Sequence, residues 1–142
     1  MALPKAECMN QYAETDFTFY ETAGHGYMLV PKELILDLGL RYYISPFSFE
    51  NKIEKKTWVY LEEDGDAGTF CEAYKAYFDK DAGHKWVEAL DDDTFITRNP
   101  RFGGRDGGQV YMFRMAHGIN DMTSIVRNLK KLGIKHRATL VV

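Results

Sequence analysis

The sequence predicts an α+β domain, a mainly antiparallel sheet with helices packed on one face. Three observations carry this. Stretches of two-residue alternation, such as Phe17-Thr18-Phe19-Tyr20, recur between turn signals. Apolar stripes at helical spacing separate them, the clearest at Phe70, Cys71, Tyr74, Tyr77 and Phe78. Aromatic residues make up 14% of the chain, a share that favours sheet with large anchoring side chains. The 142 residues fit a single domain, 1–142, long enough to bury about two-thirds of its unfolded surface.

The elements follow in order. Asp16 to Thr22 alternates as a strand, and Ala23-Gly24-His25-Gly26 is a turn signal leading into a returning strand, Tyr27 to Val30. Pro31 suits the first turn of a short helix, Lys32 to Leu38, with Leu34, Ile35 and Leu38 on one face and Gly39 as the stop. Ser45-Pro46 weakens any central strand across Tyr42 to Phe49. Asn51 to Lys56 reads as a polar turn, and Thr57 to Leu61 as a strand carrying Trp58 and Tyr60. Asp66 is expected to cap the helix that carries the aromatic stripe, and Gly83 to close it. Lys85 to Leu90 reads as a short strand, and Asp91-Asp92-Asp93 as a solvated turn. Arg98 to Gly108, with four glycines, reads as an irregular loop before an alternating strand, Val110 to Met115. A last helix carries Met122, Ile125, Val126, Leu129 and Leu132, stopped by Gly133 and followed by a strand from Ile134 to Val142.

Composition excludes several classes. Hydrophobic residues are 45% and charged residues 27%, which excludes a disordered or fibrous chain. No apolar run approaches the roughly 20 residues of a membrane span, and the start, Met1 to Cys8, lacks the pattern of a secretory signal. Two cysteines, Cys8 and Cys71, make no disulfide framework and suggest a reducing compartment. His25, His84, His117 and His136 are scattered without metal-ligand spacing, so neither a metal nor another cofactor is expected. The net charge of −3 hides an asymmetry: residues 101–142 hold eight Lys or Arg and two acids, and the remainder is correspondingly acidic. Such a split marks either two segments that attract each other in the fold or a surface for a charged partner.

Three places could carry chemistry. His25 between two glycines could serve as acid, base or anion donor, or simply as a turn residue. Glu62-Glu63-Asp64-Gly65-Asp66 could hold a divalent cation, yet it lacks the spacing of a calcium loop, and acids are expected at a helix start in any case. Arg98, Arg101 and Arg105, set among glycines, could pair with phosphate or carboxylate, though neither phosphate-loop pattern is present.

Several of these residues also fall into a pattern. Gly24-His25-Gly26-Tyr27-Met28-Leu29-Val30-Pro31, Ile44-Ser45-Pro46-Phe47-Ser48 and Val59-Tyr60-Leu61-Glu62-Glu63-Asp64-Gly65-Asp66-Ala67, followed by Arg98-Asn99, stand in one order. They resemble a group of small uncharacterised bacteriophage and prophage proteins bearing G-H-G-x-L-x-V-P, I-S-x-x-S and Y-L-E-E-D-x-D-A. The likeness spans residues 17–100. Gly65 stands where that pattern carries cysteine, and the basic segment 103–142 lies outside it. The resemblance implies origin in a mobile element and a place in the cytoplasm of a bacterial host, but no reaction.

The expected function is therefore binding without turnover: an accessory protein that engages a host or phage macromolecule, such as part of a defence or nucleic-acid system. A protein or nucleoprotein partner is expected, with direct nucleic-acid binding and homo-oligomers as further options and no membrane role. The expected binding residues are His25, Glu62, Glu63, Asp64, Arg98, Arg101 and Arg105. One alternative is a metal-assisted hydrolase using His25 and the run Glu62 to Asp66. Another is a nucleic-acid binder using the basic C-terminal segment.

Overall fold

The structure is a computed structural model that describes residues 12–13, 15–22, 24–90, 93–118 and Val126. The chain forms β1 (Asp16–Thr22), β2 (Gly26–Pro31), α1 (Lys32–Asp37), β3 (Phe49–Ile53), β4 (Lys56–Glu62), α2 (Asp66–Phe78), β5 (Gly83–Leu90), α3 (Thr94–Thr97) and α4 (Gly104–Ala116). It is an α+β fold around one five-stranded sheet of order β3-β4-β2-β1-β5.

The sheet is mixed, which corrects the mainly antiparallel expectation. β3, β4, β2 and β1 pair antiparallel in turn, whereas β5 runs parallel to β1, with Phe19 opposite Trp86. The direction follows from the connections. β4 and β1 are both antiparallel to β2 and so point the same way. The helical connection through α2 returns the chain to the end where β4 began, and the next strand must then run with β4 and with β1.

Alternation along the strands divides the side chains between two clusters. Phe17, Phe19, Met28, Val30, Val59 and Leu61 share the larger one with Leu34, Ile35 and Leu38, with Phe70, Ala73 and Tyr74 of α2, and with Phe102 and Val126. Tyr27, Phe49 and Tyr60 share the smaller one with Ile96 of α3, and Tyr20, Leu29 and Phe95 pack against it. The stripe on α2 is graded: Phe70 and Tyr74 are fully buried, whereas Tyr77 and Phe78 are half-buried. In the last expected helix Val126 is buried and helical; Met122, Ile125, Leu129, Leu132 and the expected final strand lie outside the described residues.

Three further local readings are corrected. Phe49–Ile53 is a strand where a polar turn was expected to begin at Asn51, because its polar residues lie along β4, which supplies the backbone partners. Arg98 to Gly108 is not one loop, since α4 begins at Gly104, where Gly103 and Gly104 take positive φ of 75° and 60°. Val110 to Met115 belongs to α4, not to a strand. The covered side chains there are Tyr111 and Arg114, three residues apart, which is a helical and not a strand spacing. The Arg114 guanidinium lies 3.3 Å from the Tyr43 ring centre and donates to the Tyr42 carbonyl at 2.8 Å, anchoring a glycine-rich helix that has little propensity of its own. Burial pulls the Arg114 pKa below its usual range.

A cleft at the ends of β2 and β4

Antiparallel register brings the start of β2 beside the end of β4, with Tyr27 opposite Glu62. The ladder continues one step past the strand, as Glu63 N donates to the Gly26 carbonyl at 3.0 Å. That contact needs Gly26: a Cβ there would overlap the Glu63 carboxylate and stand 2.6 Å from the Phe19 ring. The preceding turn closes through Thr22, whose N–H and hydroxyl both donate to the His25 carbonyl, at 2.8 and 3.0 Å. His25 is thereby fixed by its backbone, and its ring is left exposed.

The third wall comes from two segments laid along β3. Phe49 forms an antiparallel bridge with Arg101, Glu50 N donates to the Pro100 carbonyl at 2.7 Å, and Phe102 N donates to the Ser48 carbonyl at 2.8 Å. Arg101 donates to the Pro46 carbonyl at 2.7 Å and lies 5.3 Å from the Phe49 ring centre. Together these segments enclose a cleft of about 230 Å³ lined by His25, Gly26, Tyr27, Phe47, Phe49, Glu62, Glu63, Asp64 and Arg101. Five residues singled out from three separate stretches of sequence, His25, Glu62, Glu63, Asp64 and Arg101, thus share one cleft. Arg98, at the end of α3, and Arg105, in the first turn of α4, are exposed and do not line it.

The acidic residues are not equivalent. Glu62 folds back on its own turn: its Oε1 accepts from Gly65 N at 2.6 Å and Asp66 N at 3.3 Å, and its Oε2 accepts from Asp64 N at 3.0 Å. It satisfies the first amides of α2, the task the sequence assigned to Asp66. Asp66 is instead the first residue of the helix, buried, and makes no capping bond. Its Oδ1 accepts from Ser45 N at 3.0 Å, and its Oδ2 accepts from the Ser45 and Ser48 hydroxyls at 2.5 and 2.6 Å. Burial raises the Asp66 pKa above the usual carboxylate range, the serine bonds oppose the rise, and nearby Glu62 adds to it. Glu63 and Asp64 are exposed at the rim. The Tyr27 and Phe49 rings, which also line the cleft, meet edge to face with centres 6.3 Å apart. Burial, then Asp93 and Glu62, push the Tyr27 phenol pKa up.

Tyr27, Phe47, Phe49, Ser45 and Ser48 were not singled out for this site from composition or spacing, and Asp66 was read only as a helix cap and as the end of the acidic run. The aromatics look like ordinary strand residues until register sets them side by side. The two serines do fall in the I-S-x-x-S stretch, the one signal in the sequence that pointed to them.

Two larger cavities are less suited to a partner. One of about 520 Å³ lies between α1 and the start of α4, but its Lys32 and Glu50 pair at 3.0 Å and Gly103 N donates to the same carboxylate at 2.9 Å. The other, about 440 Å³ beside β5, has Phe19, Met28, Cys71 and Trp86 among its mainly apolar lining. Among the described residues no group of three or more His, Cys, Asp or Glu is disposed to hold a metal ion. None of the described helices is long and apolar enough to cross a membrane. Comparisons with protein-family models, curated proteins and solved structures give no match.

Proposed function

We propose that this chain is a phage- or prophage-encoded accessory protein that binds a protein partner through the cleft at Tyr27, Phe49 and Glu63, with no turnover of its own. The phage origin rests on the sequence resemblance. The binding reading rests on one observation: exposed Glu63 and Asp64 line one cleft with Tyr27, Phe47 and Phe49, whereas the cleft's arginine is engaged within the chain. Carboxylates and aromatic side chains lining one cleft suit a cationic side chain, which gains from charge and ring together. Phe47, 65% exposed, offers an apolar contact at the edge. The partner is thus expected to present Lys or Arg in an accessible segment.

Two facts weigh against the other readings. Glu62 carries three loop amides and is poorly placed to ligate a metal. On the basic side, among the described residues, Arg101 is engaged with Pro46 and Phe49 and Arg114 with Tyr42 and Tyr43.

Fluorescence anisotropy with a labelled nona-arginine peptide tests the proposal, with nona-glutamate and a DNA duplex as comparison probes. Uptake of the arginine peptide alone, lost in Glu63→Lys/Asp64→Lys, is the expected result. Equal uptake by wild type and the double variant, or preference for the duplex, would overturn it.

A further inference from the structure

We infer that Asp66 is the positioning residue of this cleft, acting through Ser45 and Ser48 to hold two of its walls in register. The inference rests on the binding reading above for its purpose, but its mechanics stand apart from it.

The argument begins with what a buried carboxylate demands. Ionised, it only accepts, so both serine hydroxyls must turn their hydrogens toward Asp66 Oδ2, at 2.5 and 2.6 Å. Each serine oxygen then has its lone pairs free for a backbone amide. Ser45 Oγ accepts from Phe47 N at 3.1 Å, and Ser48 Oγ accepts from Glu62 N at 3.1 Å. One relay therefore ends on Phe47, and the other ends on the residue that clamps the turn bearing Glu63 and Asp64. Ser45 N on Oδ1 closes the turn of residues 44–48 from a third direction. The same turn presents the Pro46 carbonyl to Arg101. The aromatic–arginine wall and the acidic wall thus lead to a single carboxylate, although neither wall contains it.

Capping does not account for this arrangement, because Glu62 already satisfies the amides at the start of α2. Nor does simple filling of space. Ser45, Ser48 and Asp66 are all buried, and burying a carboxylate is costly unless its bonds are made. What the three polar groups supply, and apolar residues of similar size would not, is direction: each hydroxyl is oriented at both ends.

The test uses an isosteric pair. Ser48→Thr keeps the hydroxyl and Ser48→Val removes it, and both add the same bulk in the same place. Amide hydrogen exchange by NMR reads the mechanics at Glu62 and Phe47, and nona-arginine anisotropy reads the cleft. Relative to Ser48→Thr, Ser48→Val is expected to speed Glu62 exchange by about tenfold more than exchange of the β1 amides, since the Glu62 amide loses its acceptor, and to weaken peptide uptake. Asp66→Asn, which sets an N–H₂ or a weaker acceptor against the hydroxyls, is expected to speed exchange at both Glu62 and Phe47. Matching exchange in the Thr and Val variants, or protection at Phe47 unchanged in Asp66→Asn, would overturn the inference. If wild type takes up no peptide while the exchange differences persist, the positioning role stands and the binding reading falls.

Discussion

Arg101 shows how far a single side chain departs from its appearance in the sequence. Among glycines it reads as a free cation for a partner. In the fold it donates to Pro46 and lies over Phe49. Charge reversal at Arg101 should therefore cost stability, about 1 kcal/mol for the lost bond and ring contact. Reversal at exposed Arg105 should stay within about 0.5 kcal/mol of wild type. Urea unfolding of Arg101→Glu and Arg105→Glu separates them, and equal midpoints would show that the Arg101 contacts contribute nothing. Asp66 carries a pH signature of its own. Its native pKa is raised by burial, so between the ordinary aspartate value of about 3.9 and the raised one the native state binds more proton than the unfolded chain. Stability from this group is thus fully present below that window and falls as pH rises through it. Melting temperatures of wild type minus Asp66→Asn, taken across acidic pH, should decline through the window and level off above it. A difference that rises with pH would mean that the serine bonds outweigh burial.

At the scale of elements, what the sequence revealed depended on whether neighbours along the chain or partners across it decide the outcome. The helix at Lys32 was legible because Pro31, the buried face Leu34-Ile35-Leu38 and Gly39 at φ 75° are all local. The stripe on α2 was legible for the same reason, and Tyr74→Ala should cost about 3–5 kcal/mol by chemical denaturation, since the ring is buried and its hydroxyl donates to the Tyr12 carbonyl. α4 was illegible. Its run Val110-Tyr111-Met112-Phe113-Arg114-Met115 has no clean helical stripe, and its exposed Met112, Phe113 and Met115 carry no pattern of burial. The residue that fixes it is a buried arginine, which sequence reading assigns to the surface. The planar guanidinium both stacks and donates, which an ammonium cannot reproduce. Arg114→Lys should therefore destabilise by about 1–3 kcal/mol in the same measurement, nearly as much as Arg114→Ala. Full retention of stability by the lysine variant would show that charge alone is what the position requires.

For the whole molecule, the pairing of distant strands decided both what was missed and what the site can be. Each stretch of the cleft was visible in the sequence as an isolated weak signal: a histidine turn, an acidic run, an arginine among glycines. Nothing local says that these meet, because the meeting depends on the β2–β4 register and on residues 100–102 lying along β3. The parallel placement of β5 was hidden for the same reason. Charge acts at this scale too. The chain before Arg101 is strongly acidic, and the cleft opens with Glu63 and Asp64 at its rim, so the basic partner proposed above would be drawn in before it makes contact. Such steering appears in the association rate and is screened as the Debye length shrinks from about 30 Å at 0.01 M salt to about 8 Å at 0.15 M. The rings that line the cleft would, by contrast, act only after contact and be much less sensitive to salt. Stopped-flow measurement with the nona-arginine peptide should therefore show an association rate that falls steeply over that range, while dissociation changes little. Tyr27→Leu should reverse the pattern, speeding dissociation and leaving the salt dependence of association intact. An association rate indifferent to salt would place recognition in the rings alone and leave the acidic rim without a part in capture.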